Sequence, residues 1–180
     1  MSRKYLSCAE TAALARQALK EAFQGFKFSV VSKTYSGGAS MRVRWMDGPN
    51  EAQVKAVAGR FHGADFDGMQ DLKTSFSSVM NGEEVRFGAD YVFFERDYSD
   101  AAVEKAIDSV FMKYAGNFKR DGMGRPALAE FRSGKLWNAQ LSGLHNYGNQ
   151  SVQQEIFAAL HKKSDRGVVA KSAVAASVEE

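Results

Sequence analysis

Two short runs of alternating residues flank a glycine pair, Gly37 and Gly38, and no other stretch constrains the chain as much. Before the pair, Phe26, Phe28 and Val30 alternate with Lys27, Ser29 and Val31. After it, Met41, Val43 and Trp45 alternate with Arg42 and Arg44. A period of two sends successive side chains to opposite faces, so each run reads as a strand with one buried side. Together they predict an antiparallel hairpin. The glycines also suggest a phosphate-cradling loop, but their neighbours exclude it. A Walker-type loop needs a lysine and a hydroxyl directly after its last glycine, and here Ala39 and Ser40 follow. A dinucleotide fingerprint opens a helix, whereas this pair opens a strand. The pair is therefore a connector in which Gly37 or Gly38 supplies a positive φ.

Helix signals frame the hairpin. Ser7 and Glu10 have capping-box spacing. Cys8, Ala12, Ala15 and Leu19 then recur on one face, predicting a helix from Ser7 to about Gln24. Asn50 with Gln53 opens a second helix, with Val54, Val57, Ala58 and Phe61 on its apolar side. Ser99 opens a third, striped by Val103, Ile107, Val110, Phe111 and Tyr114. The stretch FHGADFDG reads as a loop. Residues 71–99 read as two or three strands, with Asn81-Gly82 as a tight hairpin turn. Residues 117–150 hold no assignable pattern. Ser151 to Lys163 reads as a short helix, and small and charged residues beyond Ser164 predict a disordered tail.

The order helix, strands, helix, strands, helix predicts an α+β fold. Its mostly antiparallel sheet of four to five strands carries helices on one face, and a C-terminal extension follows. The expected division is a core over 1–116, an extension over 117–163 and a tail over 164–180. Phe26, Phe28, Val43, Trp45, Val54, Phe61 and Phe111 are expected in one core.

A single cysteine, Cys8, rules out an internal disulfide, and its place on the apolar stripe predicts a packed thiol. No run approaches the length of a membrane span and the first residues lack an apolar targeting segment, which predicts a soluble cytoplasmic protein with no membrane partner. Net charge is +3 but unevenly spread: residues 1–60 carry +6, residues 61–100 carry −6 and residues 101–180 carry +3. A basic region beside an acidic one gives two candidate surfaces.

If Trp45 and the phenylalanines face the core, Lys27, Lys33, Arg42 and Arg44 share the open sheet face, four cations with no acid among them. Such a face suits nucleic-acid phosphates. Tyr35, at the turn, is the one stacking candidate. The acidic residues Asp65, Asp67, Asp71, Glu83, Glu84 and Asp90 form the alternative surface, suited to a basic protein partner. His62, Asp65 and Asp67 lie close enough in sequence to consider a metal. However, Met69 occupies the third ligand position of a calcium loop and no late glutamate follows, so no metal is expected. No cofactor and no catalytic residue is expected either: G-x-S-x-G, H-E-x-x-H and C-x-x-C are all missing, and no motif surrounds His145 or His161.

Residues 5–49, from YLSCAETAAL through MRVRWMDGP, together with GRFHGADFDGMQDLKTS and VRFGADYVFFERDYS, resemble a large polyvalent protein-associated domain, the twenty-ninth of that series. The resemblance covers roughly residues 4–98. It implies a protein of a phage, plasmid or conjugative element, acting in the cytoplasm of a bacterial host as a non-enzymatic accessory in counter-defence or DNA transfer. Its implied partners are nucleic acid or a host defence or conjugation protein. The alternative is an inhibitor of a host defence complex, of anti-CRISPR or antirestriction type, acting through its acidic segment 61–100.

Overall fold

The computed structural model describes residues 4–67, 72–145, 150–163 and 171–179. The fold is α+β, and most strand pairs are antiparallel. Two compact units divide the chain: one holds residues 1–97 and 165–180, the other 98–164. The division thus falls after Asp97, not after residue 116.

The first unit starts with β1 (Lys4–Leu6) and α1 (Cys8–Ala22). Ser7 caps α1 by accepting from the Glu10 N–H, and Glu10 reaches back to the Ser7 N–H at 2.8 Å, the reciprocal box the sequence predicts. β2 (Phe28–Tyr35) and β3 (Gly38–Met46) then pair antiparallel, with Phe28 opposite Trp45 and Tyr35 opposite Gly38. Gly37, in the intervening turn, has a φ of 94°, the positive value that favours glycine. Phe26 lies just outside the strand and packs against the core from its edge.

α2 (Glu51–Ala58) begins at Asn50, which caps it with Gln53. β4 (Ala64–Asp67) and β5 (Leu72–Ser75) form a separate antiparallel pair, so the expected loop at FHGADFDG contains a strand. β6 (Ser78–Met80) and β7 (Glu83–Phe87) are joined by Asn81 and Gly82, whose φ values of 53° and 78° match a turn with two left-handed residues. β8 (Tyr91–Asp97) completes the first pass. β8 runs parallel to β3, giving the order β2-β3-β8; β1 runs parallel to β7 in a second sheet.

The second unit holds α3 (Asp100–Lys113), α4 (Ala115–Arg120), α5 (Leu128–Arg132), a 3-10 turn over Lys135–Asn138 and α6 (Val152–Lys162). Ser99 and Ser151, at which the sequence predicts helices to begin, cap α3 and α6. Its core joins Val103, Ile107 and Val110 of α3 to Ile156 and Leu160 of α6 around Phe118. Phe111 packs on this second core and not on the first, because the α3 stripe closes over the segment that carried no readable pattern.

Chain then returns to the first unit. α7 (Ala173–Ala176) and β9 (Val178–Glu179) add to the edge of β6, completing the order β1-β7-β6-β9. The expected disordered tail is thus ordered over 171–179, while residues 164–170 and 180 lie outside the described residues. Ala175 and Val178 are buried in the first core. Glu21 of α1 accepts from the Ser172 hydroxyl at 2.8 Å and the Val174 N–H at 3.2 Å.

In the first core, Met41, Val43 and Trp45 on the inner side of β3 meet Ala15, Leu19 and Phe23 from α1 and beyond it. The run of alanines in α1 lets the helix approach the sheet closely. Thr11, fully buried, ties the start of α1 to the β7–β8 connection: its hydroxyl donates to the Ser7 carbonyl at 2.9 Å and accepts from the Gly88 N–H at 3.2 Å. With one face covered, the other face of β2-β3-β8 is left to solvent.

Candidate nucleic-acid interface

Strand register decides what occupies that open face. Arg42 and Arg44 alternate outward along β3 while Val43 and Trp45 are buried. Across the antiparallel pair, Arg42 faces Val31, Arg44 faces Ser29 and Ser40 faces Lys33. On the other side, parallel β8 sets Tyr91 beside Ser40, Phe93 beside Arg42 and Glu95 beside Arg44. Tyr35 stands at the turn end of β2, 43% exposed.

The expected basic residues therefore gather in part. Lys33, Tyr35, Arg42 and Arg44 lie on one face, whereas Lys27 is exposed in the segment before β2 and belongs to no strand. The expectation of a face without acid fails. Glu95 Oε1 lies 2.8 Å from Arg42 Nε, and Glu95 Oε2 contacts the Arg44 guanidinium as well. That carboxylate pushes the Arg44 pKa upward, first by its hydrogen bond and then by its charge. It also offsets part of the positive potential that the two arginines would present alone.

The expectation that Tyr35 is the only aromatic on the face also fails. Phe93 is 47% exposed, and its ring lies 6.4 Å from that of Tyr91, stacked at 18°. The Arg42 guanidinium sits 6.0 Å from the centre of the Phe93 ring. Val31 and Met46 add exposed apolar surface, at 58% and 59%. Exposed apolar and aromatic groups therefore lie next to cations on this face. The sequence carried only a weak signal for Tyr91 and Phe93, because YVFFERD is an apolar run followed by a charged one and does not say which side chains face outward. What it did not carry was the parallel pairing that brings β8 against β3.

The described members of the acidic set lie on several elements. Asp65 lies on β4, 3.4 Å from His62. Glu83 and Glu84 are consecutive on β7 and so point to opposite faces of its sheet. Asp90 is half-buried and accepts from the Ala39 N–H at 2.8 Å, holding the end of the hairpin. Asp71 and the Asp67 side chain lie outside the described residues. Among the described residues, no group of three or more histidines, cysteines or acids is placed to hold a metal ion. Of the metal trio, only His62 and Asp65 can be placed. The His62 ring also packs edge-on against Phe76, with ring centres 4.9 Å apart.

The remaining reactive side chains have structural surroundings. Cys8 is buried, its sulfur 3.4 Å from the Ser40 carbonyl, and burial pushes its thiol pKa upward, away from a reactive thiolate. In the second unit, His145 is buried and its Nδ1 accepts from the Leu141 N–H at 2.9 Å. His161 is exposed at the end of α6, where its ring contacts Tyr98 and Phe157.

The family model described as large polyvalent protein associated domain 29 matches residues 6–99, just over half of the chain. The match spans α1 through β8 and thus includes every strand of the open face. No curated protein and no solved structure matches the chain. No helix of the described residues is long and apolar enough to cross a membrane.

Proposed function

This chain belongs to the large polyvalent protein associated domain 29 family, which is associated with polyvalent proteins of phages and plasmids; from that premise we propose a non-enzymatic accessory protein that binds single-stranded nucleic acid on the open face of β2-β3-β8. The observation that carries this reading is the row of Tyr91, Phe93 and Arg42: the exposed Phe93 ring stacks on the half-buried Tyr91 ring, and a guanidinium lies against Phe93. Every base has a π-face, so exposed rings on a sheet bind unpaired bases with little regard to sequence. Arg42, Arg44 and Lys33 supply cations beside them for the phosphates. A paired duplex hides its base faces and would leave the aromatic part of this surface unused.

In the setting of a mobile element, a protein of this kind would cover or guide strands during DNA transfer, or shield them from host defences, in the cytoplasm of a bacterial host. The competing reading, an inhibitor of a host defence complex using the acidic segment 61–100, needs a contiguous acidic surface. The dispersal of Asp65, Glu83, Glu84 and Asp90 speaks against it.

Fluorescence anisotropy with a labelled oligothymidine strand and the matching duplex, at two salt concentrations, tests the proposal. Tighter binding to the single strand is expected. About three phosphate contacts give a slope of log affinity against log salt of roughly −2. Absence of binding at low salt would overturn the nucleic-acid reading. Preference for the duplex would overturn the stacking platform.

A further inference from the structure

A row of four aromatic rings runs along the second unit. Trp137, on the 3-10 turn, is 51% exposed, and its ring centre lies 6.0 Å from that of Phe157 on α6. One helical turn further along α6, the exposed His161 ring stands 6.4 Å from Phe157, and Tyr98 meets it edge-on at 6.0 Å. The Tyr98 hydroxyl lies 3.4 Å from His161 Nδ1. The row is seated from below, because Phe157 packs on the buried Phe131 with ring centres 5.0 Å apart. Gly134 leaves room for the indole: a side chain there would meet Trp137 Cδ1 at 3.3 Å.

The segment that carries most of this row is basic. Residues 131–163 hold four cations, Arg132, Lys135, Lys162 and Lys163, and a single carboxylate, Glu155. Glu155 precedes Phe157 by two residues and so lies on the opposite side of α6, where it accepts from the Tyr114 hydroxyl at 3.0 Å. Cations mark both ends of the row. Arg132 donates to the Tyr98 carbonyl at 2.8 Å, and Lys135 opens the turn that carries Trp137. Asp100, 2.7 Å from Arg132, is the acid at the Tyr98 end and offsets part of that charge.

We infer that this row is a second stacking platform for unpaired nucleic acid, built by the helical unit from its own residues. The inference rests on the nucleic-acid reading of the chain but uses none of the residues of the β2-β3-β8 face. Unpaired bases stack on indole and phenyl rings whatever their sequence, and cations beside the rings take the phosphates between them. A duplex hides its base faces and would meet the cations alone. A proline-rich peptide also docks on aromatic surfaces, but it carries no phosphates for Arg132 and Lys135. The charge of the segment therefore favours a polyanion over a peptide.

Intrinsic fluorescence of the full chain tests this. Of the two tryptophans, Trp45 is buried with its indole N–H donating to the Pro49 carbonyl at 2.9 Å, so a strand can stack only on Trp137. Oligothymidine at low salt should quench the emission of Trp137, read as the difference between wild type and Trp137→Phe, and the matching duplex should not. His161→Ala, an exposed change, should raise the oligothymidine concentration needed for half-quenching about fivefold or more, the scale of one lost base stack. Phe93→Ala should leave that concentration unchanged. Binding seen by anisotropy with Trp137 emission unmoved would overturn the platform and leave the sheet-face reading standing. Quenching unaffected by His161→Ala, quenching lost in Phe93→Ala, or quenching by a proline-rich peptide but not by oligothymidine would each overturn it as well. Quenching kept in a Phe93→Ala protein whose total binding equals that of wild type would support the platform and remove the sheet face alone. No binding of any strand at low salt would remove both.

Discussion

Glu95 bridges Arg42 and Arg44: its Oε1 lies 2.8 Å from Arg42 Nε while its other oxygen contacts Arg44, so a single carboxylate on β8 engages both arginines of β3. The two arginines are about half exposed, and exposed pairs of this kind add little to stability. The carboxylate also competes with any phosphate for the same guanidinium groups. On the proposed function, the bridge would therefore set how strongly the face attracts a polyanion more than how firmly the sheet holds together.

Glu95→Gln should raise affinity for a single strand about threefold to tenfold at low salt. Each guanidinium released to a phosphate should steepen the salt slope by roughly 0.7. The melting temperature should change by no more than a degree or two. Anisotropy at several salt concentrations, with a thermal melt, reads all three. Unchanged affinity and slope would mean that the arginines do not meet phosphates.

Phe93→Ala and Arg42→Gln with Arg44→Gln should weaken binding in different ways. Loss of a stacking ring costs about 1–3 kcal/mol per base, at least fivefold in affinity, and should leave the salt slope as it was. Loss of the arginines should flatten the slope. Glutamine is preferred to glutamate in this test, because a new carboxylate beside Glu95 would add repulsion unrelated to the loss of a phosphate contact. If both variants flatten the slope equally, Phe93 does no stacking.

Local physics was legible in the sequence and long-range pairing was not. Ser7 and Asn50 cap helices as their spacing predicts, and Ser99 and Ser151 cap the helices they are expected to open, since a cap is decided within four residues. The β2-β3 and β6-β7 hairpins, Gly37 and the Asn81-Gly82 turn follow for the same reason. The parallel pairings of β8 with β3 and β1 with β7 join segments far apart in sequence, and no local pattern specifies them. For that reason Glu95, Tyr91 and Phe93 were missing from the expected face, although the apolar run YVFF marked a strand. The two-residue strand β9 is too short for any periodicity to show, and its order comes from the core it covers.

Phe118→Ala tests the boundary at Tyr98. Phe118 is fully buried in the second core, its ring 5.0 Å from that of Phe111, and truncating such a residue costs about 3–5 kcal/mol. Hydrogen exchange should show protection falling across α3 and α6 while α1 and β3 keep theirs. Phe61→Ala, which empties a place beside Phe87 in the first core, should show the reverse. Loss spread evenly over both units by either variant would show that they unfold as one.

The strap formed by α7 and β9 should weaken in acid, and Glu21 gives the direction. Its carboxylate pKa is lowered first by the Ser172 hydroxyl and next by the Val174 N–H. A group whose pKa is lower in the folded state stabilises that state fully above its unfolded pKa, near 4.3 for glutamate. That contribution fades as pH falls below this value and through the folded pKa, below which the carboxyl is protonated in both states. The wild-type protein should therefore be more stable than Glu21→Gln at pH 7, and the gap between their melting temperatures should shrink as pH drops below about 4.3. Ala175 and Val178 supply a control, because burial of apolar side chains does not titrate. Val178→Ser should lower the melting temperature by a similar amount at pH 7 and at pH 4. If the difference between wild type and Glu21→Gln is the same at both pH values, the charge on Glu21 does not hold the strap, and the apolar seats of Ala175 and Val178 hold it instead.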